Sequence, residues 1–339
     1  MSSQTTSTQQ IKNSENPREA LTHYHELRER AETADLKQKC AIFPKIVNHF
    51  YDVVTDFYEF AWGQSFHFAP RKRDESFADS IVRHQHVLAD KLELSPGKRF
   101  LDIGCGVGGP LQGIARHSGA TGVGVNNNAY QISRGEQHVA KAGLSGQCSF
   151  LKANFMEIPV PDGEFDAVYA TEAICHAPDK ASLFQEVSRV LKPGGLFGAY
   201  EWIVTDQFEP SNAKHVDIIH RIELGNSMPT LETARDLLKA LEGVGLEILE
   251  SEDRAFDSDP ETPWYRALQG RDLSFASAAR TPLGRSITKA MTGLGEWLRL
   301  APFGTSDAAA LLNIGADSLV EGGQTGIFTP MFFFLARKP

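Results

Sequence analysis

The chain has 339 residues, 41% hydrophobic and 23% charged, enough apolar material for a sizeable core arranged as one large domain with an appended piece, or as two domains. A formal net charge of -9 offers no broad attraction for nucleic acid or anionic lipid, with Arg71-Lys72-Arg73 the local exception. Cys40, Cys105, Cys148 and Cys175 are scattered, without a CxxC pair or a His at zinc-ligand spacing; reduced thiols, a cytosolic-type compartment and no metal are expected.

Residues 1 to 16 read as a disordered tail with neither the basic nor the apolar region of a secretory signal. No apolar run approaches the ~20 residues of a membrane-spanning helix, so a soluble or peripherally attached protein is expected. A polar helix is expected through Glu26 to Glu32 and a more apolar one around Ile46 to Tyr51. Phe57 to Phe68 then places six aromatic carbocycles in twelve residues of a chain only 9% aromatic. From Lys98 to Asp206 short apolar runs alternate with helical patterns. Arg99 to Ile103, Thr121 to Val125, Cys148 to Leu151, Phe165 to Ala170 and Leu196 to Val204 read as strands. Pro110 to His117, Ala129 to Ala142 and Lys180 to Leu191 read as helices, the last stopped by the turn Lys192-Pro193-Gly194-Gly195. Alternation at this spacing predicts an α/β fold, a mostly parallel sheet with helices on both faces. After Glu209 the chain is mostly helical, with strands at Leu246 to Leu249 and Phe328 to Ala336 and one helical face carrying Ile287, Met291, Leu294 and Leu298, bordered by Trp297. The chain thus divides into a tail (1–16), N-terminal helices with the aromatic segment (17–95), a cofactor-binding core (96–208) and a C-terminal region that completes the sheet (209–339).

Gly104-x-Gly106-x-x-Gly109, between a strand and a helix, formally matches the dinucleotide fingerprint, where small residues let a ligand approach the backbone and the helix N-terminus. A nicotinamide enzyme wants an acidic residue at the end of the second strand for the ribose, and this chain has Asn126-Asn127-Asn128 there. Asp102, two residues before the first glycine, suits the ammonium of a methionine moiety better than a pyrophosphate. Asp-x-Gly-x-Gly after a first strand resembles motif I of class I methyltransferases, whose cofactor is S-adenosylmethionine. The matching positions assign Asp102, Gly104, Cys105 and Gly106 to the loop, Asn126 and Gln131 to the ribose, and Asn154 and Phe155 to the adenine, with Asn127 and Glu172 also counted among the cofactor-binding residues. Asn126 has amide donors and acceptors for hydroxyls.

The acceptor is suggested by the aromatic segment, read either as a core segment that buries area or as a wall that stabilises a cation by ~2 kcal/mol or more once desolvated. Tyr58-Glu59-Phe60-Ala61-Trp62-Gly63-Gln64-Ser65-Phe66-His67-Phe68 resembles the signature region of sterol C-24 methyltransferases. Val125 to Ile132, Thr171 to Pro178, Tyr200 to Asp206 and the C-terminal Ile327 to Lys338 resemble that family too, so the likeness runs from about residue 40 to the end. It implies methyl transfer to C24 of a sterol side-chain alkene, a cation at C25, a hydride shift and loss of a proton.

On that resemblance Tyr58, Phe60, Trp62, Phe66 and Phe68 are the expected shield of the cation and wall of the substrate, with Tyr200 and Trp202 next. Glu172 is the preferred final base, with His176 and Glu201 as alternatives, since a carboxylate can hold the cation and then its proton and a neutral His can accept one directly. Glu59 and His67 complete the catalytic candidates, although Glu59 equally suits an ion pair and each His a structural hydrogen bond. The chain departs from the family at Phe60 and Ala61, where Tyr and Gly are usual, and this leaves the product and the number of methylations open. A sterol substrate, no nucleic acid, peripheral contact with a sterol-containing membrane and a homo-oligomer are compatible with this reading. A cyclopropane-type lipid methyltransferase and a non-catalytic sterol- or cofactor-binding protein are the competing readings.

Overall fold

The structure, a computed structural model, describes residues 17–271 and 304–339 together with 281, 284, 292, 293, 296 and 298. The expected tail (1–16) and the helical face through Ile287, Met291, Leu294 and Trp297 lie outside the described residues.

Two helices come first. α1 (Pro17–Glu32) packs along α2 (Leu36–Trp62), which opens with a capping box in which Asp35 accepts the Gln38 amide and Gln38 returns a side-chain contact to the Asp35 amide. α3 (Phe77–Lys91), capped by Ser76, leads into the sheet.

The sheet strands are β1 (Arg99–Ile103), β2 (Thr121–Asn126), β3 (Cys148–Lys152), β4 (Phe165–Thr171), β5 (Leu191–Val204), β6 (Glu247–Asp253) and β7 (Phe328–Arg337). They lie in the order β3-β2-β1-β4-β5-β7-β6, all parallel through β5, with β7 antiparallel to both of its neighbours. α4 (Gly109–Ser118), α5 (Ala129–Lys141) and α6 (Lys180–Val190) connect the parallel strands, and α7 (Ala213–Gly225), α8 (Ala234–Gly243) and α9 (Thr305–Thr325) follow in the second half. The strand order reverses direction between β1 and β4, and open α/β sheets bind ligands outside the strand ends at such a point.

Period-two alternation splits each strand between two apolar layers. Leu101, Phe197 and Phe334 pack against Leu183, Phe184 and Val187 of α6 and Leu237 and Leu241 of α8. Phe100, Tyr169, Tyr200 and Phe333 pack on the opposite face against Leu88 of α3 and Leu111 and Ile114 of α4. Phe184, Phe197 and Phe334 are fully buried with ring centroids 5.1–6.2 Å apart, and each contributes about 2–3 kcal/mol of burial. Past the strand ends α7 and α9 roof a third cluster containing Phe68, Trp264 and Phe328. These two helices approach closely because Gly225 meets Gly315, where an added Cβ would come within 2.5 Å of backbone.

Two local expectations need correction. Lys192-Pro193-Gly194-Gly195 is an irregularity inside β5, bracketed by the pairs Phe165↔Leu191 and Ala167↔Leu196, with Gly194 at φ 76° absorbing the excursion. The strand expected at Leu246 to Leu249 begins one residue later and extends to Asp253, because β7 offers it a long antiparallel partner.

Candidate active site

The loop after β1 turns through Gly104, Gly106 and Gly108, all at positive φ, and delivers the chain to the N-terminus of α4. At Gly104 a Cβ would also meet Ala173 Cβ at 2.4 Å, so only glycine lets the loop lie against the turn after β4. A cavity with about 970 Å³ of empty space, its open mouth included, lies between this loop, the ends of β2, β3 and β4, and α2 laid across the top.

Asp102 lines the cavity and is 2% exposed. Its register partner on β4 is Tyr169, whose hydroxyl donates to Asp102 Oδ2 at 2.7 Å. Burial pushes the carboxyl up to about 7, and the phenol draws it only partly back. A buried acid with a neutral partner, facing a cavity, fits a ligand that brings its own ammonium.

The Asn126 amide donates to the Gly106 carbonyl at 3.1 Å and to Gln131 Oε1 at 2.8 Å, while its Oδ1 accepts the Asn128 amide. It thereby shapes the loop as well as lining the cavity. Asn127 reaches the Pro44 carbonyl, Asn128 reaches Asn48 and Asp52, and Gln131 reaches Thr55, so the polar end of β2 and the start of α5 clasp α2. Cys105, Asn154 and Phe155 line the same cavity.

Glu172 follows β4 in the left-handed region at φ 56°, a conformation that costs a non-glycine residue about 1–3 kcal/mol and gathers at functional sites. Its amide is tied to the Tyr200 carbonyl. Its carboxylate accepts the Phe68 amide on Oε1 at 2.5 Å and the Trp202 indole N–H on Oε2 at 2.7 Å. Burial holds the carboxyl well above the usual range, opposed by these two donors. Glu172 thus joins the cavity to a series of rings: Tyr58 lies 5.3 Å from Phe66 and 6.2 Å from Trp62, Trp62 6.1 Å from Phe68, and Phe68 6.3 Å from Trp202.

Glu201, 1% exposed, sits behind this point and accepts the amides of Cys175 and Trp202 on Oε1; Oε2 has no hydrogen-bond partner among the described residues. Burial raises it to about 7. His176 lines the cavity, while burial lowers it to about 4 and keeps it neutral. His67 also lines the cavity and is held near 4, with Nδ1 on the Phe68 carbonyl and Nε2 on the Gln85 amide, a bracing arrangement.

Three expected wall or catalytic residues point elsewhere. Phe60 is 77% exposed, because the helical period that turns Tyr58 and Trp62 inward turns the position between them out. Tyr200 faces the opposite side of the sheet from Glu201 and stacks on His84 with centroids 3.6 Å apart. Glu59 is engaged with Arg134 Nε at 2.8 Å and His138 Nε2 at 2.7 Å, binding α2 to α5 rather than facing substrate.

The sequence reading missed Tyr51, Tyr169, Trp264 and Phe328. Tyr51 carried a signal, since it stands seven residues before Tyr58 and eleven before Trp62 and so shares their helix face. Tyr169 is legible only from strand register. Trp264 and Phe328 pack on Phe68 and Trp202 from distant parts of the chain.

A sterol methyltransferase C-terminal family profile matches residues 275–339, and a methyltransferase domain profile matches residues 101–199. The chain is 48% identical over 303 residues to cycloartenol-C-24-methyltransferase of Arabidopsis thaliana, covering 89% of this chain and 90% of the relative. It is 45% identical to the sterol 24-C-methyltransferase of Saccharomyces cerevisiae, over 88% of this chain and 79% of the relative. Among solved structures, the cyclopropane synthase MmaA2 from Mycobacterium tuberculosis superposes with a TM-score of 0.70 at 16% identity, covering 86% and 97% of the two chains. The [4+2]-cyclase SpnF superposes at 0.65 with 23% identity, covering 86% and 95%. These likenesses establish the class I methyltransferase fold and leave the chemistry to the site.

Proposed function

The chain belongs to the sterol C-24 methyltransferase family and is an S-adenosylmethionine-dependent enzyme that methylates C24 of a sterol side chain; from that premise we propose that Glu172 is the counter-charge for the sterol cation. When bound, S-adenosylmethionine supplies an electrophilic methyl group to C24 of the alkene, which leaves the positive charge at C25 of the sterol.

Asp102 would hold the cofactor's ammonium, with Asn126 and Gln131 on the ribose side and Asn154 and Phe155 toward the adenine. The observation that carries the proposal is the position of Glu172, which lines the cavity and has its carboxylate hydrogen-bonded to the Phe68 amide of the aromatic segment and to the Trp202 indole of β5. Burial holds the carboxyl well above the usual range; the N–H on each oxygen opposes that shift, and a cation arriving beside it favours the charged form further. Tyr58, Trp62, Phe66, Phe68 and Trp202 offer ring faces worth ~2 kcal/mol or more to a desolvated cation while excluding the water that would capture it. Glu201 holds the turn at Cys175 in register beneath them.

No helix among the described residues is long and apolar enough to cross a membrane. The exposed Phe60 ring at the end of α2 supports peripheral contact with a sterol-containing membrane. The function is tested by incubating the chain with methyl-labelled S-adenosylmethionine and a panel of sterols, cycloartenol included, and identifying products by mass. Label at C24 of a sterol is expected; untouched sterols with methylene-bridged phospholipid would overturn the reading.

A further inference from the structure

Tyr51 lines the cavity beside Glu172 and His176 and has no task in the account above. Its hydroxyl lies 3.2 Å from His176 Nε2, and His176 Nδ1 lies 3.2 Å from the Ser227 carbonyl oxygen. A carbonyl can only accept, so Nδ1 carries the imidazole hydrogen and Nε2 presents its lone pair. Tyr51 is therefore the donor to His176, and its own oxygen keeps its lone pairs for another proton. The Tyr58 ring is 6.3 Å away, which puts Tyr51 at the cavity end of the ring series that shields the cation. Glu172, by contrast, already receives an N–H on each oxygen.

We propose that Tyr51 is a further catalytic residue: its phenol oxygen takes the proton that the sterol cation releases, as its own hydroxyl proton passes to His176 Nε2. This rests on the reading of the reaction as alkene methylation through a cation. The C–H bond breaks, and its electron pair becomes the new C=C bond, filling the empty orbital of the cationic carbon. One O–H bond of Tyr51 forms as another breaks, and a new N–H bond forms on His176. The positive charge moves from carbon to an imidazolium whose Nδ1–H stays on the Ser227 carbonyl. Burial keeps the imidazole unprotonated beforehand, and a carbon cation is acidic enough that a weak buried base suffices. Half-buried at the cavity wall, His176 returns the proton to water between turnovers.

The test uses the full chain carrying Tyr51→Phe or His176→Gln, the latter able to accept the Tyr51 hydrogen bond but not to hold its proton. Each is incubated with S-adenosylmethionine and cycloartenol; sterol products are resolved by mass and cofactor affinity is read by calorimetry. Both variants are expected to bind cofactor as the parent does, to form the methylated alkene about 10²-fold more slowly, and to release a methylated alcohol in which water has captured the surviving cation. The parent alkene as sole product at the parent rate overturns the proposal, as does a rate loss matched by an equal loss of cofactor affinity. Should Tyr51→Phe fail to fold, His176→Gln decides by the same criteria. No methylated sterol from the parent chain would instead overturn the reaction itself, which keeps the two failures apart.

Discussion

Asp102→Asn is expected to make the unliganded protein more stable and the enzyme worse. The substitution keeps an acceptor for the Tyr169 hydroxyl, now 2.7 Å from Oδ2, and removes only the charge. The carboxyl titrates at about 7 in the folded protein against 3.8 for the free side chain. A folded value raised above the unfolded one means that the native state binds more protons between those limits. Stability is then fully present below about pH 4 and declines as pH rises through the folded value. Three units at about 1.4 kcal/mol each set a ceiling of roughly 4 kcal/mol on the loss. The variant lacks this decline, so the two proteins should unfold alike near pH 4 and diverge toward pH 8, with the variant the more stable. Cofactor affinity should move the other way: the ammonium loses a charged partner worth about 1.5–3 kcal/mol, a loss of ten- to a hundredfold. Denaturant unfolding across pH 4 to 8 and calorimetric titration of S-adenosylmethionine read the two effects. Parallel stability curves, or equal affinities, would refute the view of Asp102 as a buried acid awaiting a cation.

Glu172→Gln should lower turnover about 10²-fold with cofactor affinity retained, since a unit counter-charge ~5 Å from the cation at an effective dielectric of 20 is worth roughly 3 kcal/mol; steady-state kinetics showing an undiminished rate would remove it from the mechanism. Trp62→Ala should reduce turnover more than cofactor affinity, because the ring lies in the aromatic series rather than around the cofactor loop. Equal losses in both quantities would mark the ring as structural support alone. Phe60→Ala should leave thermal stability within about 0.5 kcal/mol of the parent, as for other exposed sites, while weakening sedimentation with sterol-containing vesicles; unchanged sedimentation would remove Phe60 from membrane contact.

Much of the core was legible because its signals are local. The alternating apolar runs named the first four strands to within a residue or so at either end, and Gly104 with Gly106 marked the loop, since only glycine turns there without strain. Asp102 before them and Asn126 at the end of β2 separated a methyl-donor site from a dinucleotide site. The aromatic segment was visible as composition but not as geometry. Its residues divide according to the helix end at Trp62, after which Phe66, His67 and Phe68 leave α2 and run toward Glu172.

What the chain order by itself determined was therefore the element sequence, the loop and the identity of the residues available for chemistry. Which of them face one another was decided by tertiary structure alone. Helix phase sends Tyr58 inward and Phe60 outward, and strand pleat separates Tyr200 from Glu201. Parallel register sets Tyr169 against Asp102, and the path of α2 over the sheet end brings Tyr51 to His176, 125 positions away. The reason is physical: propensity and turn chemistry act over a few neighbouring residues. The protonation and partners of a buried group depend on whatever the folded chain packs around it, from any distance along the sequence.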